Sequence, residues 1–549
     1  MKRLLTLLLC LTMSLTMFAG CGKKDDKKGG TGKDGKVTLT IALPMRANVE
    51  DYETNAFTLW LEEQTGYDLK FQLLATNATD YKSQISTMMV GGDKLPDIFW
   101  ATGLEAESYR QYGEDGYFLD LTPYFEDDKY SKDYWDRVEE IYPEDFKEYV
   151  KEKIYDKSTG KIWAVPSIQS TVIDTMHYQT FINKTWLDKL GLSMPTDTES
   201  LYNVLKAFVT KDPNGNGKKD EIGIIGNAQW NGYSGVVDLL LNMFVNESYE
   251  TWWNVDKKGQ LYLPYTTDEY RQGLIYINKL VKEGLMPESV WAMQYKDIKT
   301  LVNPADGVNT VGIFCGHPSV AFQEGQESNY EYVPMPTWGH AVNLMNEFGK
   351  YTFITTDCEN PDAAWNLLML MCSEEGAARM RYGEKGVDWV EADKGAKSFL
   401  GWDAKIKILN TAAYVEGNKT WNWINGTILI DAENETNQMD ENVSDWTKWK
   451  LNLMKESYDA YTASDKAKPE NRSEPISYTV EESERTEVER ENCQTWISSN
   501  AAKFCCGTDG MDPNNDASWK SYLDGFAKNG LEAWRAQVQK IYDAQIKNK

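Results

Sequence analysis

Oxygen-bearing side chains recur through the segment 212–223, which reads DPNGNGKKDEIG. They belong to Asp212, Asn214, Asn216, Asp220 and Glu221. Calcium needs several oxygen ligands that converge from a short, tightly turned loop, and Gly215 and Gly217 permit such a turn. The spacing follows the EF-hand pattern through Asp220, but Gly223 stands where that pattern has a bidentate Glu. The segment predicts a structural calcium site; the alternative is a surface turn that binds no ion.

Residue patterns typical of catalysis are absent from the chain. Only three His occur, at 177, 317 and 340, and they form no HExxH or other metal-ligand spacing. The chain also lacks a GxSxG, a CxxC and a Rossmann glycine fingerprint. A glycoside hydrolase needs only two carboxylates, and 84 acidic residues leave that alternative open. A non-enzymatic binding protein is the main prediction.

Length and charge restrict the classes of protein and partner. A chain of 549 residues is too long for one core, so at least two domains or lobes are expected. Acidic residues number 84 against 58 basic ones, which gives a net charge of −26. A field of that sign repels nucleic acid and anionic lipid. It also disfavours an acidic sugar ligand such as a uronate, unless a local pocket overrides it.

The N-terminus carries the features of an export signal. Lys2 and Arg3 precede a leucine-rich run at 4–18, and small residues then lead to Cys21. The segment FAGC is similar to a lipobox, which predicts removal of 1–20 and lipidation of Cys21. The polar segment 21–36 is the expected tether. These features predict a protein anchored by lipid alone to the extracellular face of a Gram-positive type of cell membrane.

Alternating elements in the first hundred residues predict an α/β fold. Val37, Leu39, Ile41 and Leu43 share one face of a strand, and helix, strand, helix and strand patterns follow it. Such alternation is typical of a parallel sheet, whose ligands bind beyond the carboxyl ends of the strands. The segments 46–51 and 100–104 therefore lie at a predicted binding edge.

Segments along the chain resemble one family of transport proteins. The match is most continuous over 186–223, which runs from WLDKLGLSMPT to the predicted calcium loop. Further matching segments are LPDIFW, GYFLDLTPYF, GKIWAVP, LVKEGLMPES and the stretch from NPDAAWNLL to YGEKGVDW. Together they are similar to the extracellular solute-binding family 1, the solute-binding lipoproteins of ABC importers. The nearest branch includes the alginate-oligosaccharide-binding proteins.

The resemblance implies a two-lobed periplasmic-binding-protein fold of the Venus flytrap type, with interleaved lobes, a hinge and a central cleft. We expect the N-terminal lobe to comprise 37–167 and 310–352. The C-terminal lobe is expected to comprise 168–309 and 353–549. The resemblance also implies that the Lys218 carbonyl joins the five side chains of the calcium loop.

The implied function is capture of an oligosaccharide and its delivery to an ABC permease by a monomeric protein. Energy would come from the ATPase subunits of the transporter, so no nucleotide site is expected. The alternatives are a secreted glycan-active hydrolase and a binder of another solute such as a peptide.

Candidate ligand-binding residues come partly from the resemblance and partly from geometry. Trp389 matches a position where the alginate-binding relatives place a stacking aromatic, and Lys385 stands where they tend to have Glu. Trp100 ends a predicted strand, so it lies at the expected binding edge. The further candidates are Trp291, Trp338, Asn48 and Asp51. For each Trp the alternative is a ring buried in the core.

Overall fold

The computed structural model describes most of the chain. The described residues are 35–141, 146–156, 159–168, 179–227, 235–246, 252–325, 331–336, 338, 348–399, 401–410, 412–413, 416–422, 437–439, 443–462, 476, 478 and 480–547. The expected signal segment 1–20, Cys21 and most of the expected tether lie outside these ranges.

The secondary structure alternates between strands and helices as far as the middle of the chain. Up to residue 168 the elements are β1 (Thr38–Pro44), α1 (Ala56–Thr65), β2 (Asp68–Leu74), α2 (Ala78–Gly91), β3 (Ile98–Thr102), α3 (Ala106–Glu114), α4 (Thr122–Glu126), α5 (Asp128–Ile141), α6 (Phe146–Ile154), β4 (Tyr155–Asp156), β5 (Lys161–Ile162) and β6 (Val165–Ile168). The next are β7 (Thr180–Asn183), α7 (Lys184–Leu190), α8 (Thr198–Thr210), β8 (Ile222–Ile225), α9 (Val236–Asn242), β9 (Asn254–Val255), β10 (Leu261–Tyr262), α10 (Asp268–Lys282), α11 (Tyr295–Val302), β11 (Val311–Cys315) and α12 (Pro318–Ala321).

The last part of the chain is mostly helical. Its elements are β12 (Tyr332–Pro334), β13 (Phe348–Ile354), α13 (Pro361–Cys372), α14 (Glu374–Tyr382), β14 (Trp389–Glu391), β15 (Ile406–Ile408), α15 (Asp445–Thr462), α16 (Val480–Cys506), α17 (Asp516–Lys528) and α18 (Leu531–Lys547). Short 3-10 helices occupy Pro264–Thr266 and Glu288–Trp291.

Two main sheets organise the fold. The first has the order β2-β1-β3-β13-β6, and β1 runs parallel to both β2 and β3. Strand β13 is antiparallel to β3 and β6, so it returns the chain to this sheet from far along the sequence. The carboxyl ends of β1, β2 and β3 consequently form one edge, as the alternation of elements predicts.

The second sheet has the order β12-β7-β11-β8. Strand β11 is parallel to β8 and antiparallel to β7, and it is buried along its whole length. The expected assignment of 310–352 to the N-terminal lobe is therefore corrected at β11 and β12, which belong to the second sheet. A fully buried strand has no exposed face, so its residue pattern does not identify its sheet.

The segment that follows β13 also differs from the expected division. Trp365 of α13 and Trp421 lie in the same buried cluster as Leu39 and Ile41 of β1. The described residues from 353 to 422 therefore include core of the first lobe, although 353–549 was expected to lie wholly in the C-terminal lobe. The helices α16, α17 and α18 contribute instead to the core of the second sheet.

Helix α16 also connects the two lobes. It packs against α3 of the first lobe, and Arg110 Nη1 donates a hydrogen bond of 3.0 Å to the Tyr478 carbonyl just before α16. Among the described helices, none is long and apolar enough to cross a membrane. The cysteines that the structure describes, Cys315, Cys358, Cys372, Cys493, Cys505 and Cys506, are free thiols.

Candidate functional site

The loop after β1 forms one wall of the candidate cleft. Arg46 N donates to the Tyr52 hydroxyl at 3.3 Å, which folds the loop over the strand end. Asp51 Oδ1 accepts hydrogen bonds from the backbone of Glu53 and Thr54, at 2.8 and 3.1 Å. The exposed Asp51 thus stabilises its own loop, and Asn48 in the same loop is half-buried. Both residues lie at the predicted edge.

Trp100 lies in the middle of β3 and is a core residue. Its side chain is 1% exposed, and its ring packs edge to face on Trp421, with 6.2 Å between centroids. A ring enclosed in this way offers no face to a sugar. The packing favours the alternative of a core ring for Trp100, because the side chain lies in the middle of a central strand and is covered by Trp421. Stacking of Trp100 on a ligand stays a prediction.

The edge of the second sheet carries buried amides that the sequence does not reveal. Gln179 is 1% exposed, and neither end of its amide has a hydrogen-bond partner among the described residues. Asn227 follows β8 and is equally buried, and its Oδ1 is likewise unpartnered within the described structure. Gly316 N donates to the Gln179 carbonyl at 2.9 Å, which places Gln179 level with the carboxyl end of β11.

Trp338 lies near this same edge. Met335 N donates to the Thr180 carbonyl at 2.8 Å, so the chain beyond β12 runs past the start of β7, where Gln179 lies. Trp338 packs partly buried against the second core, and its indole N–H has no partner among the residues described. A buried polar group without a partner costs about 1–3 kcal/mol, which a ligand hydroxyl would recover. Gln179, Asn227 and Trp338 are therefore candidate sugar-binding groups.

Trp389 and Lys385 form part of a small hairpin between β14 and β15. Trp389 is 2% exposed, and its Nε1 donates to the Gly383 carbonyl at 2.9 Å. Lys385 is exposed and pairs with Glu391 at 3.0 Å, while its ammonium lies 5.5 Å from the centre of the Trp389 ring. Trp389 therefore has no exposed ring face for stacking on a ligand in this structure, because its ring packs in a buried cluster with Ala378, Tyr382 and Ile406.

A buried carboxylate fixes this hairpin to the first lobe. Asp388 is fully buried and accepts hydrogen bonds from Asn410 Nδ2 at 2.8 Å and from Lys419 Nζ at 2.5 Å. Burial raises the pKa of Asp388, but the bonds from Lys419, the Glu384 backbone and Asn410 outweigh burial and lower it. The carboxylate therefore stays charged and holds the hairpin beside α14.

Trp291 packs partly buried on the second core and contacts Cys506 at the C-terminal end of α16. Its indole N–H has no partner among the described residues, as is the case for Trp338. No contact among the described residues joins Trp291 to Gln179 or Asn227, so its role in ligand binding stays a prediction.

A cavity of about 300 Å³ opens on the first lobe between α1 and α14. Its lining includes Phe57, Trp60, Arg379, Glu384 and Lys419. The Trp60 ring stacks on Phe57 at 5.9 Å, and the Arg379 guanidinium lies 5.0 Å above it. All of these residues belong to one lobe, so lobe closure would not enclose a ligand there.

The loop between α8 and β8 has the turns that the predicted calcium site requires. Asp212 adopts a positive φ of 46°, and its carboxylate accepts from Gly215 N at 2.9 Å and from Gly217 N at 3.1 Å. Asn216 Oδ1 accepts from Lys218 N at 2.7 Å. The carboxylate of Asp220 accepts from the amide groups of both Asn214 and Asn216. These bonds lower the pKa of Asp220.

Glu221 supplies the observation that tests whether calcium fits. Its side chain is buried, and Oε1 has no partner among the described groups. Burial, and then the nearby charges of Asp212 and Asp220, raise the pKa of Glu221. A divalent cation would compensate this uncancelled negative charge. The loop residues therefore fit calcium.

Carboxylates alone do not complete such a site. In the part of the chain that the structure describes, no group of three or more His, Cys, Asp or Glu side chains is arranged to hold a metal ion. Calcium would therefore need the amide oxygens of Asn214 and Asn216 and the carbonyl of Lys218. Each of these oxygens has two lone pairs, so it can bind an ion and still accept a hydrogen bond.

Comparisons with known proteins agree over most of the chain. The family of bacterial extracellular solute-binding proteins matches residues 44–378. The lipoprotein LipO of Bacillus subtilis is 25% identical over 358 residues, which cover 63% of each chain. The fructooligosaccharide ABC transporter substrate-binding protein FusA of Streptococcus pneumoniae is 23% identical over 98% of both chains.

Solved structures show the same fold. FusA in complex with kestose has a TM-score of 0.68 at 21% identity and covers 93% of this chain and 100% of its own. An HMO-binding solute-binding protein of Bifidobacterium longum infantis has a TM-score of 0.72 at 21% identity, with coverage of 93% and 99%. The expected two-lobed α/β binding-protein fold is confirmed. Since the matched family extends over more than half of the sequence, this chain belongs to the bacterial extracellular solute-binding proteins.

Proposed function

We propose that this protein captures an oligosaccharide between its two lobes and delivers it to the permease of an ABC importer. The end-to-end alignment with FusA, a fructooligosaccharide-binding protein, supports the proposal. The observation that carries it is the set of buried, unpartnered polar groups at the edge of the second sheet, among the described residues Gln179, Asn227 and Trp338. Sugar hydroxyls both donate and accept, so they can satisfy amides and an indole N–H together.

Capture requires that the lobes close around the ligand. The strand edges of both sheets would form the walls, and the segments that connect the lobes would act as the hinge. The permease would then recognise the closed, loaded form. The lobes supply binding and orientation only, and we infer no catalytic step.

Calorimetry with purified protein and neutral oligosaccharides, including kestose, tests the proposal. We expect at least one glycan to bind and to be recovered intact, as judged by mass spectrometry of the released ligand. Cleavage of the glycan would favour the alternative of a secreted hydrolase. Binding of peptides without binding of any glycan would favour a different solute.

We also propose that the loop 212–221 holds one calcium ion. Its ligands would be Asp212, Asn214, Asn216, Asp220, Glu221 and the Lys218 carbonyl. Similar folds include an EF-hand mutant of FusA and the alginate-binding protein AlgQ2 without calcium ion. The ion would stabilise the connection from α8 to β8 rather than take part in chemistry, because carboxylate, amide and carbonyl oxygens only bind it.

Removal of calcium is expected to lower the melting temperature without unfolding the protein at room temperature. An ion that binds only the folded state stabilises it by mass action, and each lobe retains its own core. The measurement is thermal unfolding with excess calcium and with EGTA, and the shift should vanish in Asp212→Ala. Asp256→Ala is the matched control, because Asp256 also caps a turn, through Lys258 N and Gln260 N. If EGTA leaves the melting temperature of the wild-type protein unchanged, the loop is a surface turn that binds no ion.

A third proposal concerns the membrane. Lipidation of Cys21 after removal of 1–20 would hold the protein at the extracellular face, and LipO, a lipoprotein, is among the relatives. Two acyl chains are needed for stable retention. Cys21→Ala is expected to release the protein into the medium, as measured by fractionation of the producing cells. Retention of an unprocessed Cys21→Ala chain in the membrane would contradict lipid anchoring.

A further inference from the structure

The loop after β1 depends on contacts from other segments for its conformation. It spans 45–55, between the end of β1 and the start of α1, and it contains no helix or strand. The Tyr52 ring packs edge to face on Trp421 and anchors the loop at one point. Glu53 pairs with Lys70 at 3.3 Å, but both side chains are about half exposed, and exposed pairs contribute little. The residues on either side of Tyr52 therefore need another contact to hold one position.

Asn418 supplies that contact from a position 367 residues further along the chain than Asp51. Its Nδ2 donates to the Asp51 carbonyl at 2.9 Å and to Thr54 Oγ1 at 3.4 Å. Its Oδ1 accepts from Asp51 N at 3.3 Å and from Asn55 Nδ2 at 3.0 Å. A side-chain amide has two N–H donors and two lone pairs on its oxygen, so the loop uses the full bonding capacity of Asn418.

The backbone at Asn418 separates the requirement of the turn from that of the loop. Its φ is 49°, in the left-handed region. Glycine enters this region without steric cost, and asparagine is among the side chains that tolerate it best. Glycine would therefore satisfy the turn alone. The four contacts to the loop, in contrast, require an amide side chain at this position.

The segment that carries Asn418 is itself fixed in the first lobe. Trp421 is fully buried, and its Nε1 donates to Thr58 Oγ1 of α1 at 2.8 Å. The Thr420 carbonyl accepts from Asn55 Nδ2 at 2.9 Å. Asn418 therefore extends from a segment anchored in the core, and it can hold the more exposed loop in place.

From these contacts we propose that Asn418 is a positioning residue for ligand capture, which holds the loop after β1 in the conformation that receives the sugar. The inference rests on the proposed function, because the loop would form one wall of the cleft. Asn48 and Asp51, the candidate binding residues of this wall, both lie in the loop. If the loop keeps the receptive conformation for only about a tenth of the time without its anchor, the affinity falls about tenfold.

Asn418→Gly tests the proposal, because it removes the four side-chain contacts and keeps the turn. The bond of 3.0 Å from Ala56 N to the carbonyl of residue 418 involves backbone only, so it remains. Amide hydrogen exchange in 46–55 of the free protein, measured by mass spectrometry, should become about tenfold faster, since exchange follows the population of open loop. Strands β1 and β3 should keep their protection, and the melting temperature should change little.

Calorimetry with kestose and other neutral oligosaccharides measures the effect on binding. A glycan that binds the wild-type protein is expected to bind Asn418→Gly about tenfold more weakly, as the reduced population of the receptive loop predicts. Asn418→Asp keeps the two contacts in which Oδ1 accepts and loses the two in which Nδ2 donates. Its affinity and its loop exchange should therefore lie between those of the wild-type protein and Asn418→Gly.

Asp509→Gly is the matched control. Asp509 also has a positive φ, of 53°, but it lies between α16 and α17, where it pairs with Lys503 at 3.2 Å. This variant should change neither the exchange of 46–55 nor the affinity.

The outcomes separate this proposal from the proposed function. Unchanged affinity of Asn418→Gly for a glycan that binds the wild-type protein would overturn the positioning role while the proposed function stands. Faster exchange throughout the first lobe, with a lower melting temperature, would instead make Asn418 a residue that stabilises the fold and would also overturn the positioning role. Failure of the wild-type protein to bind any glycan would overturn the proposed function and the positioning role together.

Discussion

Replacing Trp100 with alanine is expected to destabilise the protein by about 3–5 kcal/mol, since truncation of a buried tryptophan removes both apolar burial and packing. The ring is 1% exposed and contacts Trp421, which itself packs on Tyr52, Phe57 and Phe71. A cavity at Trp100 would therefore loosen the loop after β1 as well as the sheet. Urea unfolding followed by circular dichroism measures the free energy of unfolding.

Trp402→Ala is the control for Trp100→Ala, because Trp402 is 45% exposed and its loss should change stability by less than about 0.5 kcal/mol. A large loss of stability in Trp100→Ala, with little change in Trp402→Ala, would assign Trp100 to the core. A Trp100→Ala variant of normal stability and weakened glycan affinity would instead show that the ring stacks on the ligand.

The alternation of strands and helices could be predicted from the local residue pattern. In β1, for example, buried and partly exposed residues alternate at the start of the strand, although its later residues are buried on both faces. Leu39, Ile41 and Leu43 share one core cluster, whereas Ala42 lies in the cluster on the opposite face. The division into lobes could not be predicted in the same way. Val311–Cys315 is buried throughout, and such a strand fits the middle of either sheet equally well.

The loop 212–221 can be proposed as a calcium site from the sequence because all of its candidate ligands lie in one short segment. The cleft is assembled from distant segments, and no local spacing records which side chains meet there. An aromatic residue in a strand has the same local pattern whether it stacks on a ligand or fills the core, as the Trp100 ring does. Gln179 and Asn227 are single polar residues in the sequence. Only their position at the edge of the second sheet, combined with burial and the lack of a partner among the described residues, makes them candidates.

Replacing Gln179 with leucine is expected to weaken glycan binding by about ten- to a hundredfold, because two ligand hydrogen bonds to a buried amide are lost. The same change should leave the free protein as stable as before, or more stable. In the free state the Gln179 amide is buried and has no partner among the described residues, so an apolar side chain of similar size removes a desolvation cost. Calorimetry measures the affinity, and thermal unfolding measures the stability.

Asn183→Leu is the matched control, since Asn183 ends β7 and Gln179 lies directly before the first residue of β7. Its Oδ1 accepts from Trp186 N at 3.1 Å and caps α7, so this variant should lose about 1 kcal/mol of stability and keep its affinity. A ligand-binding amide and a structural amide thus respond in opposite ways to the same substitution. Loss of stability with unchanged affinity in Gln179→Leu would assign Gln179 to the fold and move the second wall of the cleft elsewhere.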